Sequence, residues 1–131
     1  MQENLLLIKK KLVKGSSIVF TSSISARMSA PGLAVYASSK AAVSSYMRTC
    51  AIELGAKGIR ANAVLPGMVE TRLINRGTYT DEDKTNDLNL YPLGRYGSPS
   101  DVAFAIIYLL SDASAWVTGS EFVIDGGRSL K

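Results

Sequence analysis

The chain has no histidine and a single cysteine among its 131 residues. Without histidine it lacks the base of a Ser-His-Asp triad, and with one thiol it lacks the usual ligands of a zinc site. Cys50 has no second cysteine for an internal disulfide, which fits a reducing cytoplasm. Because Cys50 falls within a helical pattern, we interpret it as a buried structural thiol rather than a nucleophile. The sequence predicts no metal site.

Long hydrophobic runs are also absent. No apolar run reaches the roughly eighteen residues that a membrane-spanning helix needs. The N-terminal residues carry no charged segment before their apolar part and no small-residue cleavage site, so they are not typical of a signal peptide. Hydrophobic residues make up 47% of the chain and charged residues 20%, as in a globular domain. The composition predicts one cytoplasmic domain with no membrane partner.

The net charge is +4, and much of it lies near the N-terminus, at Lys9, Lys10, Lys11 and Lys14. A basic cluster can bind nucleic acid, but no aromatic residues interleave with these lysines. Lysines are also favourable at the negative, C-terminal end of a helix. We therefore interpret the cluster as a solvated helix end and predict no nucleic-acid partner.

Helical and extended patterns alternate along the chain. They predict helices over residues 4–13, 35–54 and about 99–110, and strands over 17–22, 59–65 and 121–124. The start of the third helix has the clearest local signal, since Ser98 can cap it, Pro99 fits its first position and Asp101 completes a capping box. Residues 68–97 are irregular, and we expect short mobile helices there that cover a ligand. This alternation predicts an α/β fold with a parallel sheet and a ligand beyond the carboxyl ends of its strands.

The candidate catalytic residues lie between the first strand and the long helix. Tyr36 and Lys40 are four residues apart, so they lie one turn from each other on one helix face. A positive charge close to a phenol favours its ionised form, which suits a general acid/base. Ser23, thirteen residues before Tyr36, could hold the oxygen of a carbonyl or alcohol. The alternative interpretation is a partly buried tyrosine beside a solvated lysine, with the serine as a strand-end cap.

Four segments of the chain form a recognisable set, and they are residues 15–23 (GSSIVFTSS), 36–42 (YASSKAA), 58–67 (GIRANAVLPG) and 117–127 (VTGSEFVIDGG). Together they resemble the classical short-chain dehydrogenase/reductase family, and 3-oxoacyl-[acyl-carrier-protein] reductases in particular. The resemblance implies a Rossmann-like parallel sheet with flanking helices. It also implies a truncated one, because the family's glycine-rich T-G-x-x-x-G-x-G turn has no counterpart here. Residues 1–131 would form the C-terminal catalytic half of a single domain, without the dinucleotide-binding half.

The resemblance assigns a catalytic role to three residues. Tyr36 matches the family's proton donor and acceptor. Lys40 matches the lysine that tunes this tyrosine and binds the nicotinamide ribose, so that both residues also belong to the cofactor site. Ser23, rather than Ser22, matches the serine that positions the substrate oxygen.

The resemblance also identifies a cofactor-binding turn after the second strand. Its residues are Pro66, Gly67, Val69 and Thr71, and the Val69 backbone would face the nicotinamide carboxamide. Their purely structural role would be to end the strand and form a tight turn. Asn62 and Asp125 are interpreted as structural ties rather than as chemical groups.

The function implied by the resemblance is hydride transfer between NAD or NADP and a small alcohol or ketone. The family also implies a homo-oligomer, either a dimer or a tetramer. The alternative is a truncated, non-catalytic fragment that keeps only the surfaces for oligomer assembly.

Overall fold

Three parallel strands form the sheet, in the order in which they occur along the chain. The computed structural model describes residues 11–71 and 80–131. The strands are β1 (Ser17–Thr21), β2 (Arg60–Pro66) and β3 (Glu121–Ile124), and β2 pairs with both of the others. Because the strands are parallel, their carboxyl ends meet at one edge of the sheet. The predicted α/β class and parallel sheet are confirmed.

Helices cover both faces of this sheet. They are α1 (Ala34–Gly55), α2 (Asp81–Leu88) and α3 (Pro99–Leu110), and short 3-10 helices span Ile24–Ala26, Asp112–Ser114 and Arg128–Leu130. No helix in the described residues is both long and apolar enough to cross a membrane. The flanking helices predicted for a Rossmann-like fold are present.

The core lies between α1 and the central strand. Cys50 and Leu54 of α1 are fully buried and pack in a cluster with Ala61. A second cluster joins Met47 of α1 to Leu65 near the end of β2. The interpretation of Cys50 as a buried thiol is thus confirmed, and this packing holds α1 against the sheet.

The predicted helix over residues 4–13 is wrong at its C-terminal end, and residues 4–10 lie outside the described part of the chain. Leu12 and Val13 are not helical. The Val13 N–H donates to the Ser16 hydroxyl at 3.2 Å and the Ser16 N–H donates to Val13 O at 3.0 Å, so these residues form a turn into β1. Gly15 has a φ of +92° within this turn, which favours glycine. The lysine cluster is interpreted from the sequence as the end of a helix. Lys11 and Lys14 are exposed, and in the described residues neither lies at the end of a helix.

The start of α3 is capped as the sequence predicts. The Ser98 hydroxyl accepts the Asp101 N–H at 3.3 Å, and the Asp101 carboxylate accepts the Ser98 N–H at 2.6 Å. The guanidinium of Arg95 lies 2.8 Å from the same carboxylate. Hydrogen bonds from Arg95 and Ser98 hold the pKa of Asp101 well below its ordinary value. Local sequence therefore fixes where this helix begins.

The end of α3 is held by a residue of the sheet. Arg60, at the start of β2, donates from Nη1 to Leu109 O at 2.9 Å and from Nη2 to Ser111 O at 3.0 Å. It also donates to the Ser114 hydroxyl at 2.8 Å. The last carbonyls of a helix have no partner within the helix, and a cation is favourable there. Arg60 thus joins α3 to the central strand.

Glu121 joins β3 to the α1 side of the sheet. Only 10% of its side chain is exposed, and its carboxylate lies 2.6 Å from Arg48 Nη1 and 2.8 Å from Arg27 Nε. Burial alone would raise the pKa of Glu121, but Arg27, the Ser44 hydroxyl and Arg48 outweigh it and lower this pKa. The two guanidinium groups therefore keep a largely buried carboxylate ionised.

Replacing Arg60 with Met should lower the free energy of unfolding by about 2–4 kcal/mol, because several partly buried carbonyls lose a charged donor. Arg95→Met is the matched control, since it removes an exposed ion pair and such pairs contribute little to stability, so its loss should be clearly smaller. Urea unfolding of both variants measures the difference. Equal losses would contradict the role given to Arg60.

Protonation of Glu121 should contribute to unfolding in acid. A carboxylate whose pKa is lower in the folded state stabilises the protein above its unfolded pKa, and this stability is lost as pH falls toward the folded pKa. Glu121→Gln should be less stable than wild type at neutral pH and lose less stability between about pH 5 and pH 3. Urea midpoints across this range test it, with Glu82→Gln on exposed α2 as the control. Parallel curves for Glu121→Gln and wild type would refute the prediction.

Candidate functional site

A cavity of about 470 Å³ opens where the strands end. Ser23 and Met28 of the segment after β1 line it, together with Tyr36 in the first turn of α1. Gly67 and Met68, which follow β2, complete this part of the wall. The volume is within the range of about 300–1,000 Å³ that is typical of small-molecule sites. The cavity lies at the edge of the sheet where a ligand is predicted.

Ser23 lines the cavity and also caps the first 3-10 helix. Its hydroxyl oxygen accepts the Ser25 N–H at 3.1 Å, which leaves the hydroxyl proton available to donate. Ser22 is placed differently. Its hydroxyl donates to Lys40 O at 2.9 Å and accepts from the Ser44 hydroxyl at 3.1 Å, so it ties the end of β1 to α1. Of the two serines, only Ser23 lines this cavity.

Tyr36 and Lys40 lie together on α1, as their spacing predicts. The Tyr36 side chain lines the cavity and is about half exposed, at 46%. The Lys40 ammonium lies 5.7 Å from the centre of the Tyr36 ring, within cation–π range. It donates to Thr21 O at the end of β1 at 3.1 Å and is not among the residues that line the cavity. The structure therefore brings Ser23, Tyr36 and Lys40 together at the end of β1.

Of the four residues predicted for the cofactor turn, Gly67 alone is among those that line the cavity. Gly67 lines it and donates its N–H to Ile124 O at 2.9 Å. Pro66 is the last residue of β2, and Thr71 is exposed. Val69 forms a parallel bridge with Gly97 and does not line the cavity.

Asn62 and Asp125 are both held by backbone groups. The fully buried Asn62 amide donates to Val117 O at 2.9 Å and its oxygen accepts the Ser120 N–H at 3.0 Å. The Asp125 carboxylate accepts the Gly127 and Ser129 N–H groups at 2.9 and 2.7 Å. Burial alone would raise the pKa of Asp125, but these hydrogen bonds lower it. Both residues act as the structural ties that the sequence predicts.

Three further ionisable residues, which no motif in the sequence singles out, line the cavity. They are Asp87 at the end of α2, Tyr91 shortly after it and Arg128 after β3. The Tyr91 hydroxyl oxygen accepts the Met68 N–H at 3.2 Å, and burial raises the pKa of this phenol. No spacing or motif marks these residues, because the contact depends on segments far apart in the chain.

No three His, Cys, Asp or Glu side chains of the described ranges 11–71 and 80–131 gather in a way that could hold a metal ion. The charged groups at the cavity are instead the carboxylate of Asp87 and the guanidinium of Arg128, with the Lys40 ammonium beside Tyr36. Such groups suit hydrogen bonding and proton transfer.

Comparison with known proteins gives consistent matches. A family model described as enoyl-(acyl carrier protein) reductase matches residues 5–129. The L-rhamnose 1-dehydrogenase (NAD(P)(+)) of Sphingomonas sp. strain SKA58 is 45% identical over 86% of this chain and 44% of its own. The 3-oxoacyl-[acyl-carrier-protein] reductase of Thermotoga maritima is 41% identical over 87% of this chain and 46% of its own.

A solved structure also has a similar fold. The short-chain type dehydrogenase/reductase of Mycobacterium ulcerans superposes with a TM-score of 0.83 at 37% identity, over 88% of this chain and 42% of that one. The chain therefore spans less than half the length of these relatives.

Gly67 should not tolerate a side chain. A Cβ there would lie 3.0 Å from both Cα and Cβ of Asp125, so Gly67→Ala must push the ends of β2 and β3 apart. We expect a loss of about 1–3 kcal/mol in the free energy of unfolding. Gly55→Ala, at the end of α1, meets nothing within 4 Å and should be neutral or stabilising by up to about 1 kcal/mol. Urea unfolding compares the two, and a Gly67→Ala protein as stable as wild type would disprove the close contact.

Proposed function

Because the chain belongs to the short-chain dehydrogenase/reductase family, we propose that residues 1–131 form the C-terminal catalytic half of a Rossmann-fold domain. The domain transfers hydride between NAD or NADP and a small alcohol or ketone. The observation that carries this proposal is that Ser23 and Tyr36 line one cavity, with the Lys40 ammonium beside the Tyr36 ring.

Tyr36 is proposed to move the proton. In reduction its hydroxyl protonates the carbonyl oxygen, and in oxidation it accepts the proton of the alcohol. The Ser23 hydroxyl donates a hydrogen bond to the same oxygen, which its free proton allows. A bound nicotinamide supplies or accepts the hydride, and the protein supplies orientation.

A second phenol in the cavity makes the assignment to Tyr36 more specific. Burial raises the pKa of Tyr91, so this group stays neutral and keeps its proton. Its oxygen already accepts the Met68 N–H. The Tyr36 side chain is instead about half exposed, and the Lys40 ammonium lies 5.7 Å from the centre of its ring. Of the two phenols that line the cavity, Tyr36 is therefore the better candidate for proton transfer.

Lys40 fits the proposed contact with the cofactor. An ammonium has three N–H donors, and the backbone oxygen of Thr21 takes one of them. The others suit the hydroxyl groups of a nicotinamide ribose. Tyr36, one turn away, completes the same contact.

The turn of Pro66, Gly67, Val69 and Thr71 is proposed to hold the nicotinamide end of the cofactor. The bridge between Val69 and Gly97 supports this assignment, because Gly97 bonds to the neighbours of Val69 rather than to Val69 itself. Gly97 N–H donates to Met68 O at 2.9 Å, and Gly97 O accepts the Glu70 N–H at 2.7 Å. The Val69 N–H and C=O consequently point away from Gly97, as a contact with a carboxamide requires.

A homo-oligomer in the cytoplasm is part of the same proposal. The α1 side chains of Val35 and Ile52 are 86% and 82% exposed, and those of Phe104 and Ile107 on α3 are also exposed. Apolar side chains on two helices suit contact with further copies of the chain. The same surfaces favour the second candidate function, a non-catalytic piece that only assembles.

Titration with NADH and NADPH, followed by nicotinamide fluorescence, tests the proposal. We expect saturable binding that Lys40→Ala weakens about tenfold or more, because it removes a charged donor. Lys57→Ala, at an exposed lysine just after α1, is the control and should bind as wild type does. Tyr36→Phe should keep binding and lose about 10²–10⁴-fold in turnover with an alcohol. If the folded chain binds neither nucleotide, the assembly function replaces the catalytic one.

A further inference from the structure

One buried carboxylate oxygen at the cavity has no donor among the described residues. It is Oδ2 of Asp87, which has almost no solvent-accessible surface. A buried carboxylate oxygen without a hydrogen bond is costly, since it has lost water and gained nothing in return. Asp87 is not part of the proposed catalytic set, and its side chain lines the cavity. The Asp87 side chain as a whole is 21% exposed, so the accessible part of its carboxylate is a candidate acceptor for a ligand.

Arg128 lies beside this carboxylate without closing on it. Its Nε is 4.0 Å from Oδ1 of Asp87, which is longer than a direct hydrogen bond, and each side chain is 21% exposed. The two groups nevertheless balance each other's charge. They present an acceptor and a set of donors side by side on the cavity wall.

Hydrogen bonds and close packing hold the backbone segments that carry these two groups. Arg128 donates its N–H to Asp125 O at 3.1 Å, in the turn that the Asp125 carboxylate caps. Leu93 N–H donates to Gly126 O at 3.2 Å, and a Cβ at Gly127 would lie 2.7 Å from Pro92 Cγ. The segment after α2 is thereby held against the chain after β3.

The charge balance selects the kind of group that can bind. An ammonium group would gain from Asp87 but would meet the positive charge of Arg128. A carboxylate would gain from Arg128 but would meet the negative charge of Asp87. A neutral hydroxyl can donate to the Asp87 carboxylate and accept from the Arg128 guanidinium at the same time.

We propose that Asp87 and Arg128 form a subsite for a second, non-reacting hydroxyl group of the substrate. The substrate class is then a neutral diol, polyol or sugar rather than a simple hydrocarbon alcohol. The apolar part of the lining, Ile24, Met28, Leu33 and Met68, suits the carbon skeleton of such a molecule. The inference rests on the proposed function for the reaction, but the binding step can be tested without it.

Two alcohols of the same ring size separate the contribution of a second hydroxyl group from that of the carbon ring. They are cyclohexanol and cis-cyclohexane-1,2-diol, and the measured quantity is the ratio of kcat/KM for the diol to that for cyclohexanol. Wild type should favour the diol about tenfold or more, because a site built to hydrogen-bond a hydroxyl rejects the analogue without it. Asp87→Asn and Arg128→Met should each lower this ratio at least about fivefold. Glu82→Gln, on the exposed surface of α2, should leave the ratio unchanged.

Binding distinguishes failure of this inference from failure of the proposed reaction. If neither alcohol is oxidised, saturation-transfer NMR of the folded chain with each alcohol replaces the rate measurement. Stronger binding of the diol that Asp87→Asn or Arg128→Met weakens would support the subsite even without turnover. Equal binding of the two alcohols, no binding of either, or a ratio that both variants leave unchanged would overturn it. Circular dichroism identifies a variant that has not folded. The result for the other variant then decides whether the subsite is supported.

Discussion

The close approach of β2 to β3 at their carboxyl ends determines the shape of the cavity. Gly67 donates its N–H to the last residue of β3, and a Cβ at this position would lie 3.0 Å from Cα and Cβ of Asp125. The Asp125 carboxylate then orders the following turn through two N–H groups. That turn places Arg128 on the cavity wall, so one backbone contact positions both the proposed cofactor turn and the polar side of the cavity.

Much of the fold could be predicted because its signals are local. The apolar strands, the length of α1 and the capping box of α3 each depend on residues within a few positions of one another. The Tyr36–Lys40 pair is local in the same sense. The end of α3 near Leu110 is also as predicted, but the contact that holds it was not predictable in this way, because Arg60 reaches it from a different strand.

The wrong prediction and the missed residues have a physical cause. At Leu12 and Val13 the apolar spacing favours a helix, but the Ser16 hydroxyl takes the Val13 N–H and the chain turns into β1. Side-chain hydrogen bonds of this kind compete with helices and leave no periodic signal. Asp87 and Arg128 meet only because the chain after α2 packs against the chain after β3, a contact that no local pattern encodes.

The bridge between Val69 and Gly97 joins the two ends of the long segment between β2 and α3, which is called the excursion here. Gly97 directly precedes the capped start of α3, so the base of this excursion is anchored to two rigid elements. Chain length inside a closed loop has only a small effect on the free energy of closing it. Insertions and replacements within the excursion can therefore accumulate without shifting Tyr36 or the end of β2. This separation offers a route by which substrate preference diverges while the proton-transfer machinery stays in place.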